Sequence, residues 1–292
     1  MTDRSIPSRI GIIGGSGLYG IEGVEILDTL KIDTPWGWPS DTLTLARICG
    51  HEVVFLPRHG QGHRIPPHKI NYRANIYAMK LVGVSRIISI SAVGSLKQEI
   101  KPGEFVLVDQ FVDRTRDRAS TFFDGPVVAH VSMADPVCAN LRSQLATACK
   151  NTGISVHEGG AYLAMQGPQF SSRAESKLYR SWGMDVIGMT NMPEAKLARE
   201  AEICYATVAM STDYDCWHEE EDDVSVSNVL EIMHDNVAKA QHMLFAFLEA
   251  TDNINVCTGD CHSALEYAII SNMTALDDQA LKPVHALVER LL

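Results

Sequence analysis

Apolar residues in this chain fall in short runs that break at glycine, proline or a charged turn, and elsewhere they recur at helical spacing. In the first third the runs predict buried strands over 10–13, 43–48, 53–56, 86–91 and 105–109. One helix, over 71–82, precedes the fourth of these and takes its core face from Ile76, Met79, Leu81 and Val82. From residue 136 the pattern alternates: helix 136–152, strand 161–165, helix 172–182, strand 186–189, helix 193–201, strand 205–210. Two further helices, over about 226–251 and 263–270, close the chain. Strands alternating with helices, without a repeat or a break in composition, predict one α/β domain with a central mixed sheet flanked by helices. It spans residues 1–292, with a core over about 9–250 and a C-terminal helical segment over about 251–292. In such sheets ligands gather at the carboxyl ends of strands.

Composition narrows the function classes. The chain has 292 residues, 46% hydrophobic and 21% charged, enough to bury a large core. A net charge of −11 argues against a nucleic-acid partner, which needs a basic face. No run reaches the ~18 apolar residues of a membrane span, and the first residues lack a signal-type apolar core, so no membrane partner and a cytoplasmic location are expected. Of the seven cysteines, Cys257 and Cys261 sit four apart and are expected to be free thiols. A zinc site is disfavoured there because only His262 stands nearby as a third ligand, and no metal or cofactor is expected.

The candidate chemistry sits at strand ends. The run Ile10–Ile13 opens into Gly14, Gly15, Ser16 and Gly17, a turn whose bare backbone N–H groups and Ser16 hydroxyl suit an anion. A tight turn without a ligand is the plain alternative. The stretch 15–20 also fits GxGxxG, but the glycines and prolines after it are poor helix material, so a nicotinamide-binding oxidoreductase is a distant reading. A second strand ends at Arg58 and His59, an oxyanion fork with an additional donor. His59, His63 and His68 lack the carboxylate or cysteine partners that would suggest a metal. A third strand is expected to end in the small-residue turn 89–95, with the Ser91 hydroxyl and neighbouring N–H groups free. Three anion-binding ends favour a phosphate site over a plain basic loop. Asp213 and Asp215 follow strand 205–210, and from the residues alone a carboxylate pair and a structural cap are equally open. The acidic run 219–223 reads as a solvated loop.

These segments carry a resemblance. GIIGGSG, the Arg58-His59-Gly60 turn with His68, Lys69, Asn71 and Tyr72 behind it, SAVGSL, QGPQFSSRAE, GMTNMPEA and STDYDCW stand in the order of the trimeric purine nucleoside phosphorylase family. The similarity runs from about 9 to 250. It implies a homotrimer, with a hexamer as an alternative, and phosphorolysis of a purine nucleoside, with inorganic phosphate as co-substrate and no cofactor. It assigns phosphate binding to Ser16, Arg58, His59, Ser91, Ala92 and Thr190, and the ribose face to Met189. Phe170 is implied to stack near the purine, with Ser171, Asp213 and Asp215 recognising it. Val226 and Val229 are implied to line an apolar pocket for the 5′ substituent, to which a neighbouring subunit lends His130. A carboxylate such as Asp215 suits the amino donor of a 6-aminopurine, and Asp213 suits proton delivery to N7 as the catalytic acid. The implied reaction is therefore cleavage of methylthioadenosine to adenine and 5-methylthioribose 1-phosphate, in purine and methionine salvage. A 6-oxopurine nucleoside or methylthioinosine is the alternative substrate, and a non-catalytic nucleoside-binding protein ranks far below both.

Overall fold

The strand β1 (Arg9–Gly14) is buried along both faces, Ile10 and Ile12 toward one and Ile13 toward the other, so it can lie only inside a covered sheet. The structure, a computed structural model, describes residues 8–15, 17, 24–218, 226–251 and 257–292, apart from the side chains of 226–229. The chain runs β1, β2 (Glu25–Leu30), β3 (Leu43–Ile48), β4 (His51–Pro57), α1 (Tyr72–Leu81), β5 (Val84–Ser95), β6 (Phe105–Leu107) and β7 (Gln110–Asp113). It continues through α2 (Ala139–Asn151), β8 (Val156–Glu158), β9 (Ala161–Ala164), α3 (Arg173–Ser181), β10 (Val186–Gly188), α4 (Asn191–Glu200), β11 (Cys204–Asp213) and α5 (Val226–Glu249). One mixed sheet holds the strands in the order β2-β3-β4-β1-β5-β10-β9-β7, while β11 pairs with β5 and leads on to β6 and β8. Helices α1 and α4 pack on one face, α2 and α5 on the other. The α/β domain with a central mixed sheet is as expected.

Two departures shape the site. The strand expected over 86–91 does not give way to a turn within 89–95: β5 continues to Ser95, because it changes partners on the way. Its first half lies parallel to β1 as far as the Ile13–Ser89 pair, and its last residues, Gly94 and Ser95, run antiparallel to β10. Residues 90–93 thus pass between the end of β1 and the start of the β10 pairing, while β11 holds the opposite edge. Ser91 and Ala92 are strand residues beside a gap, not turn residues. Likewise β11 outruns the expected 205–210, and a register shift between Ser211 and Asp213 sets Asp213 opposite Gly94.

The strand expected over 105–109 stops at Leu107 as β6, which joins β11 and β8, and a separate strand, β7, begins at Gln110 and joins β9. The helix expected over 263–270 is not formed. A single 3-10 turn (Cys261–Ser263) is followed by turns, and Ile269 makes a strand-like bridge with Ala129 instead. Its apolar residues, Leu265 and Ala268, bury against the α1 side of the sheet, as do two short helices, α6 (Asp278–Leu281) and α7 (His285–Val288). The tail is part of the main core.

Candidate active site

A cavity of about 280 Å³ opens at the gap beside residues 90–93. Gly15, Arg58 and His59 come to it from the ends of β1 and β4, and Ser91, Ala92 and Gly94 from the stretch of β5 at the gap. Met189 and Thr190 follow β10, Asp213 and Asp215 end β11, and Met165, Phe170 and Met233 complete an apolar wall. Ten of the expected site residues are therefore brought to one cavity or its rim: Arg58, His59, Ser91, Ala92, Phe170, Met189, Thr190, Asp213 and Asp215 line it, and Ser171 stands behind it with its hydroxyl 3.8 Å from the Met165 sulfur. Ser16 lies outside the described residues, as do the side chains of Val226 and Val229 on the first turn of α5. His130 is elsewhere: it is exposed and its amide donates to the Ala268 carbonyl at 2.8 Å.

The basic end of the cavity differs from the expectation of a free oxyanion fork. The Arg58 guanidinium is buried and bidentate to Glu194, with Nε to Oε2 at 2.8 Å and Nη2 to Oε1 at 3.0 Å. Its Nη1 donates to the Ile90 carbonyl and its Nη2 also reaches Ser89. Glu194 in turn accepts from Ser89 Oγ and Tyr205 OH, at 2.7 and 2.9 Å. Asn191 extends the network, donating to Ser89 and Tyr205 and accepting from Ser91 Oγ at 3.0 Å. Arg58 is thus neutralised and locked, and among the described residues little more than one Nη1–H remains for a ligand. His59 is also not the donor expected. Its Nδ1 bonds the Ile65 carbonyl at 2.9 Å and so must carry the proton, leaving Nε2 as an acceptor in the neutral ring. Burial, helped by Arg58 and His63, pushes its pKa down to about 4, against that bond, so the ring is neutral near pH 7.

Besides that Arg58 N–H, an anion at this end would meet the strand edge, hydroxyls and turn amides. Thr190 is buried at the cavity wall, its side chain beside the Tyr162 hydroxyl. At the opposite end Asp213 accepts from Thr212 Oγ1 at 2.7 Å and from the Asp215 amide at 2.8 Å. Burial nonetheless holds its carboxyl above the usual carboxylate range. Asp215, at a left-handed φ of 52°, is also shifted upward, chiefly by burial and further by the charge of Asp213. Asp215 lines the cavity just beyond the end of β11, and hydrogen bonds from the Ser176 and Ser171 side chains work against that rise.

Close backbone contacts make this geometry possible. A Cβ on Gly94 would stand 2.9 Å from Asp213 Oδ1, so only glycine lets the carboxyl lie against β5. A Cβ on Gly188 would collide with the Tyr162 hydroxyl. Arg118 ties the walls together: its guanidinium donates to the carbonyls of Met189 and Met192 on one side, and of Gln166 on the other, at 2.7–2.8 Å. Sequence reading gave no role to Arg118, Glu194, Asn191 or Tyr205, and only the neighbours of Glu194 and Asn191 in GMTNMPEA drew attention to them.

With this geometry in view, comparison with known proteins is informative. The profile of the phosphorylase superfamily matches residues 9–249. The chain is 55% identical over 268 residues to S-methyl-5′-thioadenosine phosphorylase of Geobacter sulfurreducens, covering 91% of this chain and 93% of that one. It is 49% identical over 287 residues to the enzyme of the same name from Cereibacter sphaeroides, covering 98% and 99%. Among solved structures, a methylthioadenosine phosphorylase from an antarctic soil metagenomic library superposes with a TM-score of 0.90 at 45% identity, covering 97% and 99%. Methylthioadenosine phosphorylase from Schistosoma mansoni in complex with adenine gives 0.77 at 37%, covering 82% and 91%. The chain belongs to the phosphorylase superfamily, and within it to the family of the S-methyl-5′-thioadenosine phosphorylases.

Proposed function

We propose that the chain catalyses phosphorolysis of S-methyl-5′-thioadenosine to adenine and 5-methylthioribose 1-phosphate, a step of purine and methionine salvage. The observation that carries the base assignment is the Asp215 carboxyl in the cavity lining, an acceptor suited to a donor such as the amino group of adenine. In the reaction the bond from C1′ to the purine breaks with its electron pair leaving on the base. A phosphate oxygen forms the new bond to C1′ from the opposite face. The sugar passes through an oxocarbenium-like state, as in glycoside cleavage. Asp213, kept protonated more readily by burial, gives its proton to N7 of the departing base. Phosphate is held by the edge of β5 at Ser91 and Ala92, by Thr190 and Ser16, and by the remaining Arg58 N–H. His59 Nε2 accepts from a protonated phosphate oxygen. Phosphate is the co-substrate, and the chemistry calls for no cofactor.

Met189 lies against the ribose, Phe170 and Ser171 stand at the base, and the 5′-methylthio group extends toward α5. Positions 226 and 229 share a helical face with Met233, which lines the cavity. His130 is exposed and does not line its own chain's cavity, and Phe170 at the rim is 49% exposed; both suit a site completed by a neighbour in a trimer. No described helix is long and apolar enough to cross a membrane. The seven cysteines suit the reducing cytoplasm, where we place the enzyme.

The test is phosphate-dependent turnover of methylthioadenosine, methylthioinosine, adenosine and inosine side by side. Adenine release from methylthioadenosine that stops without phosphate is expected. Preference for methylthioinosine would refute the base assignment while leaving the phosphate site, and no turnover of any of the four would refute the enzyme reading.

A further inference from the structure

At the other end of β11 from Asp213, four cysteines distant in sequence meet. The sulfurs of Cys138, Cys204, Cys257 and Cys261 all lie within 4.8 Å of one another, and all four residues are buried. The expectation that Cys257 and Cys261 have only His262 as a further ligand fails because folding brings Cys138 and Cys204 to them. We propose that these four cysteines bind one zinc ion as a tetrathiolate that anchors the C-terminal segment to the sheet.

The geometry fits a single ion. Zn–S bonds of about 2.3 Å in a tetrahedron set sulfurs about 3.8 Å apart, and Cys138 and Cys257 already stand at 3.4 Å. A multi-iron cluster, with metals and sulfides between its cysteines, needs a wider cage. The chemistry also fits, since four thiolates select a soft, tetrahedral ion. Backbone amides are aimed at the sulfurs: Leu141 N at Cys138 Sγ, at 3.5 Å, and Gly259 N at Cys257 Sγ, at 3.3 Å. Cys138 is the N-cap of α2, where a negative sulfur is favoured. Outside the sulfurs, His262 commits Nδ1 to the Glu202 carbonyl and holds Nε2 3.5 Å from Cys204 Sγ. Arg199 fixes the intervening loop through Asp260, at 3.1 Å.

Position explains the role. Cys257 and Cys261 belong to the core on the α2 and α5 side, whereas Leu265 and the residues after it pack on the α1 side. The tail crosses the sheet at this point, and one ion would join it to the start of β11 and to the start of α2. Cys204 and Asp213 stand at opposite ends of a ten-residue strand, about 30 Å apart at roughly 3.3 Å per residue, so the ion is structural and not part of the reaction.

The experiment is metal analysis of the full chain, purified under reducing conditions, exchanged with zinc and desalted, beside the double variant Cys257→Ser/Cys261→Ser. About one zinc per chain, four thiols protected from alkylation, and loss of both in the variant are expected, with methylthioadenosine turnover of the wild type unaffected by loading. Should the variant fail to fold, cobalt(II) added to the wild type supplies the second measurement. Strong thiolate-to-cobalt charge-transfer absorption with tetrahedral d–d bands is expected. Four freely alkylated thiols without bound zinc, two disulfides that re-form in place of metal uptake, or a cobalt spectrum lacking thiolate bands would each overturn the proposal.

Discussion

Replacing Glu194 by Gln removes one charge from behind Arg58, beneath the cavity lining, and changes almost nothing in shape. Glu194 is fully buried and accepts four hydrogen bonds, two from Arg58 and one each from Ser89 and Tyr205. An amide keeps one acceptor and places a donor among donors, and it leaves the Arg58 cation buried without its counter-charge. Breaking a buried pair in this way costs about 3–5 kcal/mol. For a chain of this size that corresponds to a melting temperature lower by roughly 6–10 °C in phosphate-free buffer. The perturbation also has a direction. With Glu194 neutral, a bound phosphate becomes the counter-ion of Arg58, so phosphate should raise the melting temperature of the variant more than that of the wild type. In steady-state kinetics KM for phosphate should fall, and kcat with it. Calorimetry with and without phosphate reads the first pair of effects. A loss below about 1 kcal/mol, or a phosphate-induced shift no larger than in the wild type, would refute the claim that Glu194 neutralises Arg58 at the anion site.

Three further outcomes follow from the same geometry. Asp213→Asn should lower kcat by about 10²–10⁴ with little change in KM. Because burial raises the Asp213 pKa, the acid form is present below that pKa and lost as pH rises through it, so the alkaline fall of the wild-type pH–rate profile should flatten in the variant. Gly94→Ala forces the Asp213 carboxyl from its place by a Cβ 2.9 Å away; a tenfold or greater drop in kcat is expected, with a folded protein by circular dichroism. His59, ordinary when unfolded and held at about 4 in the fold, leaves stability full above pH 6.5 and costs stability as pH falls through 4. The loss is at most about 3 kcal/mol and less for a ring that is partly solvated. His59→Asn should make the denaturant midpoint less dependent on pH in that window, and an unchanged slope would refute the assignment of a neutral ring.

The parts legible in the sequence are those written locally. Apolar runs ending at glycine and at Arg58-His59 located β1 and β4 and their turns, and the period of Asn71–Val82 located α1, because each signal lies within a few residues. What escaped is long-range. Glu194 is one of 36 acidic residues and sits in a run that reads as ordinary helix; only folding places it against Arg58, 136 residues away. The change of partners along β5 depends on where β1 stops and β10 starts, which no property of residues 84–95 specifies. For the same reason the segment 263–270 looked helical, since its leucine and alanine spacing is satisfied equally by turns that lay the same side chains onto α1.

The neutralised arginine bears on how the site works. A free guanidinium beside phosphate would bind it strongly and, in doing so, cancel the charge that the reaction uses. Phosphorolysis needs that negative charge directed at C1′, where the sugar becomes cationic, so preorganised dipoles at the strand edge serve better than a full opposing charge. In the proposed phosphate site, pairing Arg58 with Glu194 would leave the anion held by N–H and hydroxyl groups and still electron-rich toward the sugar. The same pairing fixes Ser89, Asn191 and through it Ser91, so the groups proposed to position phosphate belong to the network that neutralises Arg58. On this account tighter phosphate binding and slower turnover should appear together when Glu194 is neutralised, and a variant with lower KM for phosphate and a raised kcat would contradict it.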